Sequence, residues 1–264
     1  MASLRLLTLN IWNQLGPFEQ RLARVREGLA RLAPEVVGLQ EVVEVEGRSQ
    51  AHALAEGLGY EVAFGAARDY GGGVRFGNAL LSRFPIVEQE VCALPVLDTD
   101  EHRAVLCTKL QHPAGLLPVF VTHLSWRLDH GYVREAQVVR LTELIAARRT
   151  SRCLPSVLVG DFNAVSDSTE IRYLTGLTTL GGRSAYFFDA HAVAGAGQGI
   201  TFDPDRNPYA ALSPEPPRRL DYVFVRGGDE RGRGRPRRAE VVLDDVEGGV
   251  AASDHYGVLA ELEL

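Results

Sequence analysis

The 264-residue chain has only three cysteines, Cys92, Cys107 and Cys153. They form no close pair and no metal-ligand spacing. An odd count without a Cys-x-x-Cys motif reads as buried or free thiols in a reducing compartment. Long apolar runs are also missing: none approaches the roughly 18 residues that suggest a membrane span. The opening Met1-Ala2-Ser3-Leu4-Arg5 lacks signal-peptide architecture and runs straight into strand-like sequence, so a cytoplasmic location is expected. Positive charge is not in excess either. With 28 basic against 34 acidic residues, the formal net charge is -6. Such a balance repels phosphate polymers unless a basic patch or bound metal offsets it, so nucleic acid is not the partner that net charge favours. There is no short-period repeat and no convincing linker. One domain over 1–264, acting as a monomer, is expected.

What is present is an alternation of short apolar runs and helical spacing. Leu4–Ile11 reads as a buried strand, and Phe18–Leu32 as a helix carrying Leu22, Val25, Leu29 and Leu32 on one face and stopped near Pro34. Val36–Leu39 is the next strand, and a helix is expected over Gln50–Leu58. Further strands are expected at Glu61–Gly65, Ala79–Ser82, Ile86–Leu94, Arg103–Leu110 and Pro118–His123, then a helix from Tyr132 to Arg148. Strands at Ser156–Val159, Arg219–Val225, Glu240–Leu243 and Val258–Leu262 close the chain. Ser213–Pro217 reads as an extended connection and Arg226–Arg238 as a mobile loop. Tyr186-Phe187-Phe188 is better read as a buried strand edge than as a membrane wedge. The expected class is α/β (α+β), with two mixed sheets packed face to face and helices outside.

Chemistry-bearing residues collect where these strands end. Asn10, Glu41, His123, Asp161 and Asn163 each lie at or just beyond the carboxyl end of an expected strand, where rigid elements hold loop side chains. Arg219-Leu220-Asp221-Tyr222 and Ser253-Asp254-His255 follow near the carboxyl terminus. The set supplies carboxylates, imidazoles and amides without an obvious nucleophilic Ser or Cys, which suits an oxygen-ligated cation such as Mg²⁺ or Mn²⁺. Taken singly each residue has a plainer reading, as a strand-end turn or a solvated carboxylate. Six such signals in order are harder to obtain by accident.

The ordered motifs Leu9-Asn10, Leu39-Gln40-Glu41, Thr122-His123-Leu124, Gly160-Asp161-Phe162-Asn163, Arg219-Leu220-Asp221-Tyr222 and Ser253-Asp254-His255 resemble the endonuclease/exonuclease/phosphatase superfamily. The resemblance spans essentially the whole chain and implies the DNase I-like four-layered sandwich. It implies Glu41 as principal metal ligand, with Asn10 and Asp254 on the metal side. His255 would stand at the scissile phosphate with Asp221 orienting its ring. Asp161 and His255 would align and activate water, while Asn163 and His123 would stabilise charge on the phosphoryl oxygens. Trp126, Arg127 and Asn207 are candidates to line the substrate cleft.

The implied activity is metal-dependent hydrolysis of a P–O bond by in-line attack of water. A nuclease or 5′-end nucleic-acid processing enzyme stays open as an alternative, as does a non-catalytic binding module on the same fold. Arg219-Leu220-Asp221 lacks a preceding Trp-x-Asp context, and Tyr256 follows the final motif where the inositol-phosphatase branch prefers proline. Those departures count against a phosphoinositide substrate.

Overall fold

The computed structural model describes residues 3–227 and 232–264. In chain order its elements are β1 (Ser3–Asn10), α1 (Phe18–Leu32), β2 (Val36–Val45), β3 (Arg48–Ser49), α2 (Gln50–Ala55), β4 (Glu61–Gly71) and β5 (Val74–Ser82). There follow β6 (Ile86–Ala93), β7 (Ala104–His112), β8 (Gly115–His123), α3 (Gly131–Ala147), β9 (Val157–Asp161), α4 (Thr169–Leu174) and β10 (Phe187–Asp189). The last are α5 (Ala190–Ala194), a 3-10 turn at Ala210–Leu212, β11 (Asp221–Arg226), β12 (Pro236–Val242) and β13 (Gly257–Glu263). A seven-stranded sheet runs β12-β13-β1-β2-β5-β4 with β3 against β2, and a six-stranded sheet runs β10-β11-β9-β8-β7-β6. Each sheet is mixed, with one parallel pair, β1 with β2 and β8 with β9.

Residues of period 2 explain the layering. In β1, Leu4 and Leu6 face the other sheet, where they meet Val119, Val121, Val157, Val159, Val223 and Val225. The alternate residues Leu7 and Leu9 face outward and are covered by Val25 and Leu29 of α1 and Leu54 of α2. On the other sheet the outward side chains Phe120, Leu158, Tyr222 and Phe224 lie under Val138, Leu141 and Ile145 of α3 and Ile171 of α4. The result is helix, sheet, sheet, helix: the DNase I-like sandwich.

The two parallel pairs end at the same rim. Asn10 is level with Gln40, and His123 with Asp161. Antiparallel β11 begins there, with Asp221 opposite Asp161. Within β1, β8, β9 and β11, Asn10, His123, Asp161 and Asp221 continue the inward-facing parity of the apolar core residues. At this rim the inter-sheet core turns polar. Its contents stay out of bulk water: Asn10, Asp161 and Asp221 are each 1% exposed.

Three expectations are corrected. The helix after Ser49 ends at Ala55 rather than Leu58, and β4 and β5 extend to a Gly71-Gly72-Gly73 turn, forming a longer hairpin than Glu61–Gly65 and Ala79–Ser82 suggested. Arg226–Arg238 is not one loop: Arg226 ends β11 and Pro236–Arg238 open β12, while residues 228–231 lie outside the described residues. Helices α4 and α5 have no counterpart in the sequence reading. Tyr186-Phe187-Phe188 does form a strand edge, with Phe187 buried. Among the described residues, no helix is long and apolar enough to cross a membrane.

Gly160 shows how tightly the rim is built. Its φ is +151°, and a Cβ there would come within 1.9 Å of the Thr122 carbonyl oxygen in the neighbouring strand. Only glycine lets β8 and β9 approach closely enough to set His123 beside Asp161. Gly160→Ala is therefore expected to cost roughly 3 kcal/mol, at the upper end for an overpacked core position. Urea unfolding checks this; a loss below about 0.5 kcal/mol would mean the strands can part freely.

Candidate active site

Asp161 is the hub. Its Oδ2 accepts from Asn10 Nδ2 at 3.0 Å and its Oδ1 from the Asn163 backbone N–H at 2.8 Å. The ring nitrogens His123 Nε2 and His255 Nε2 lie 3.5 and 3.7 Å from Oδ2. Burial pushes the Asp161 carboxyl up to about 6, although the neighbouring His255 and the bond from Asn10 pull the other way. A carboxylate with that value is matched to accepting a proton near neutrality.

His255 is anchored through Nδ1, which donates to Asp221 Oδ2 at 2.9 Å. Burial opposes charging of this ring, but Asp221 and Asp161 outweigh it and hold His255 well above the usual imidazole value. That direction favours the imidazolium, whose remaining N–H would point toward Asp161. A cationic His255 would act as a donor and leave Asp161 to take the proton from water. The backbone that carries Asp221 is held in turn by Thr201, whose Oγ1 accepts from the Leu220 and Asp221 amides at 3.0 and 3.2 Å. Phe202, next to Thr201, packs its ring 5.2 Å from that of His255.

His123 differs in kind. Burial, the Arg103 guanidinium and the His255 cation together hold it well below the usual imidazole value. Its Nδ1 lies 3.0 Å from Arg103 Nη1.

Glu41 stands on the other wall. Strand β2 breaks register between Leu39 and Val42, and Glu41 takes φ +57°, which a residue with a Cβ adopts at a cost. The irregularity lets Gln40 stay buried against Thr8 while Glu41 turns to the opening. Glu41 Oε1 accepts from Asn10 Nδ2 at 3.2 Å and Oε2 from Asn13 Nδ2 at 2.7 Å. Ser253 Oγ shares its single proton between the Asn10 carbonyl at 2.6 Å and Asp254 Oδ1 at 3.1 Å. Burial pushes Asp254 up to about 7; His255 opposes the shift, and Glu41 adds to it. The preceding loop is tied down by buried Arg21, which donates to the carbonyls of Ile11, Trp12, Asn13 and Leu15.

Two groupings could receive a cation. Asp161, Asp221 and His255 present ligand atoms within 4.8 Å of one another, but there the imidazolium already supplies the positive charge. Glu41 and Asp254 are two carboxylates whose direct partners are neutral amides and a hydroxyl, both partly open to solvent. Their oxygen donors and mutual repulsion suit a hard divalent cation better.

The three cleft candidates separate. Trp126 is 60% exposed and lines a cleft of about 360 Å³ together with Glu41, Asn13, Arg103, Arg68 and Tyr70. Arg127 lines the adjoining hollow with Trp126, His130 and Tyr132. Asn207 does not line either. It is buried, its amide donates to the Ser253 carbonyl at 2.8 Å, and its Oδ1 accepts from the Tyr209 amide. Its part is to fix the segment that carries Asp254 and His255, which corrects the expectation of a substrate contact. A larger cavity of about 1110 Å³, beside Tyr186, Phe188 and Arg226, lies at the far end of β11 and contains none of the motif residues.

Sequence reasoning missed Asn13, Glu101, Arg103 and Thr201. The β7–β8 hairpin register pairs Val105 with Thr122. Arg103, just before β7, therefore sits beside the end that carries His123. That register, read from the turn at Pro113-Ala114, is the signal that could have found it.

The Endonuclease/Exonuclease/phosphatase family profile matches residues 7–255. No curated protein matches the chain. Among solved structures, an endonuclease/exonuclease/phosphatase from Bacteroides vulgatus is 19% identical with TM-score 0.79, covering 100% of both chains. One from Beutenbergia cavernae is 23% identical with TM-score 0.71, covering 100% of this chain and 72% of that one. D. rerio TDP2, complexed with single strand DNA product, is 20% identical with TM-score 0.74 and full coverage of both. At these identities the likeness carries the fold.

Proposed function

The chain belongs to the endonuclease/exonuclease/phosphatase family, and from that premise we propose that it is a divalent-metal-dependent phosphodiesterase, a single domain over 1–264 that hydrolyses a P–O bond with water as nucleophile. The observation that carries this is convergence: Asn10, His123, Asp161, Asp221 and His255, spread over most of the sequence, meet at one rim around the Asp161 carboxylate, with Glu41 one amide away.

Mg²⁺ or Mn²⁺ would be held by Glu41, with Asn10 and Asp254 beside it, and bound there would polarise the phosphoryl group and ease departure of the leaving oxygen. The side chains supply the rest. Asp161 orients the attacking water and receives its proton. His255, kept protonated by Asp221, faces the charge that builds on the phosphoryl oxygens, and His123 offers a second N–H to them. Asn163 keeps its backbone N–H on Asp161 and has a side-chain N–H to spare beyond its bond to Leu124 O. Asp161 loses its use as a base below about pH 6, where it becomes protonated, so activity should fall on the acid side of that value.

A single-stranded nucleic-acid end as substrate is a second reading. It is favoured by exposed Trp126 and by Tyr70 with Arg68 over its ring at 5.2 Å, both beside the Glu41 cleft, since base stacking on aromatic faces tolerates any sequence. D. rerio TDP2 was crystallised with a single strand DNA product on the same fold.

Turnover of bis-p-nitrophenyl phosphate, with Mg²⁺ or Mn²⁺ and with EDTA, tests the principal reading. We expect turnover with either metal and none with the chelator. A folded, metal-supplemented protein inactive on this diester, on p-nitrophenyl phosphate and on single-stranded DNA would instead make the chain a binding module.

A further inference from the structure

Arg103 belongs to none of the site's motifs, and we infer that it is a positioning residue which fixes His123 as the neutral tautomer carrying its proton on Nε2. The argument is one of donors and acceptors. A guanidinium has five N–H donors, no acceptor, and does not lose its charge in proteins. Arg103 Nη1 lies 3.0 Å from His123 Nδ1, so Nδ1 must be the acceptor and the ring's proton must sit on Nε2. That nitrogen faces Asp161 Oδ2 at 3.5 Å. The contact cannot invert, because the guanidinium is held from behind. Its Nε donates to Glu101 Oε1 at 2.8 Å and its Nη2 pairs with the same oxygen at 2.6 Å. Glu101 in turn accepts from Ser125 Oγ and from the Trp126 backbone N–H at 3.1 Å. Arg103 is 7% exposed and His123 4%, so water does not compete for either.

The charged groups facing His123 are Arg103 on one side and Asp161 and His255 on the other. Two cations against one carboxylate leave the ring neutral, with one N–H directed at the place where Asp161 and His255 meet. The two histidines are thereby set in opposite states by opposite partners, Asp221 for His255 and Arg103 for His123. What this does for the reaction rests on the phosphodiesterase reading: His123 would be a donor whose protonation state does not change across the working pH range. The tautomer itself does not rest on that reading.

The test is a long-range ¹⁵N–¹H correlation spectrum of the histidine rings of the full chain, with His123 assigned by loss of its signals in His123→Gln. The expected result is a protonated Nε2 and an unprotonated Nδ1 from about pH 5.5 to pH 8. In Arg103→Met, Nδ1 loses its donor, and the ring should exchange tautomers or begin to protonate as pH falls toward the ordinary imidazole value of about 6.5. Arg103→Lys, whose ammonium can still donate to Nδ1, should restore the wild-type pattern. On bis-p-nitrophenyl phosphate, Arg103→Met should lose about 10- to 100-fold in kcat, the usual scale for a residue that orients a working ligand or base, with KM little changed and most of the loss recovered in Arg103→Lys. A wild-type ring with its proton on Nδ1 overturns the inference without any variant having to fold. So does an unaltered His123 signal in Arg103→Met. A shifted tautomer with unchanged kcat would leave the positioning intact and remove His123 from the proposed mechanism instead.

Discussion

His255→Asn is expected to lower turnover of a phosphodiester by about 10³-fold, the upper range for losing one preorganised donor aimed at developing charge. Asparagine can still donate one N–H toward Asp221 in place of Nδ1 at 2.9 Å, so the strand end keeps its shape, but the cation and the donor facing Asp161 are gone. Stability should change in a way that identifies the imidazolium. Asp221 and Asp161 raise the folded-state value of His255 well above normal despite its burial. A group raised on folding contributes stability that is fully present below its unfolded value, about 6.5. That contribution persists through neutrality and is lost as pH rises through the folded value. The gap in Tm between wild type and variant should therefore be wide at pH 6, where breaking a buried pair costs on the order of 3 kcal/mol, and should close under alkaline conditions. Near-normal turnover in folded His255→Asn would contradict the assignment, and a pH-independent Tm gap would contradict the charge state.

Much of this was legible before any coordinates, and for a physical reason. Short apolar runs state where a buried strand ends, so a polar residue that closes such a run is marked as belonging to the rim. Leu4–Leu9 leads to Asn10 in this way, Val36–Leu39 to Glu41, Pro118–Thr122 to His123 and Ser156–Val159 to Asp161. The face each residue takes was not legible, because apolar residues fill both parities of these runs. Glu41 in particular reaches the opening only through the register shift in β2 and its left-handed backbone. Glu101 and Thr201 were not legible because each acts through the partner it holds, and Arg103 could be found only by carrying the hairpin register across from the Pro113-Ala114 turn. Asn207 was misread for a related reason: a polar loop residue looks the same whether its amide meets a ligand or spans two backbone segments. Helices α4 and α5, of six and five residues, are too short for periodicity to register and exist because tertiary packing covers them.

Mg²⁺ is expected to raise the melting temperature of the wild-type protein, and Glu41→Gln is expected to abolish that rise while Asp221→Asn keeps it. The two substitutions separate the two carboxylate groupings at the rim. A ligand that binds only the folded state stabilises it by about 2.7 kcal/mol at a concentration one hundred times its dissociation constant. The shift is therefore measurable even if no substrate is known. Asp221 is already committed to the His255 imidazolium, so its loss should damage turnover and leave cation binding. Among the described residues, Glu41 and Asp254 have no such internal counter-charge within hydrogen-bonding reach, so an external cation relieves repulsion there and not in the trio. The pH dependence follows from Asp254. Burial pushes its carboxyl up to about 7, and a cation must displace that proton to bind, so the Mg²⁺-induced rise in Tm should be largest above pH 7 and fade as pH falls through it. Loss of the rise in Asp221→Asn with its retention in Glu41→Gln would move the cation to the Asp161–His255 side of the rim and reverse the roles of the two walls.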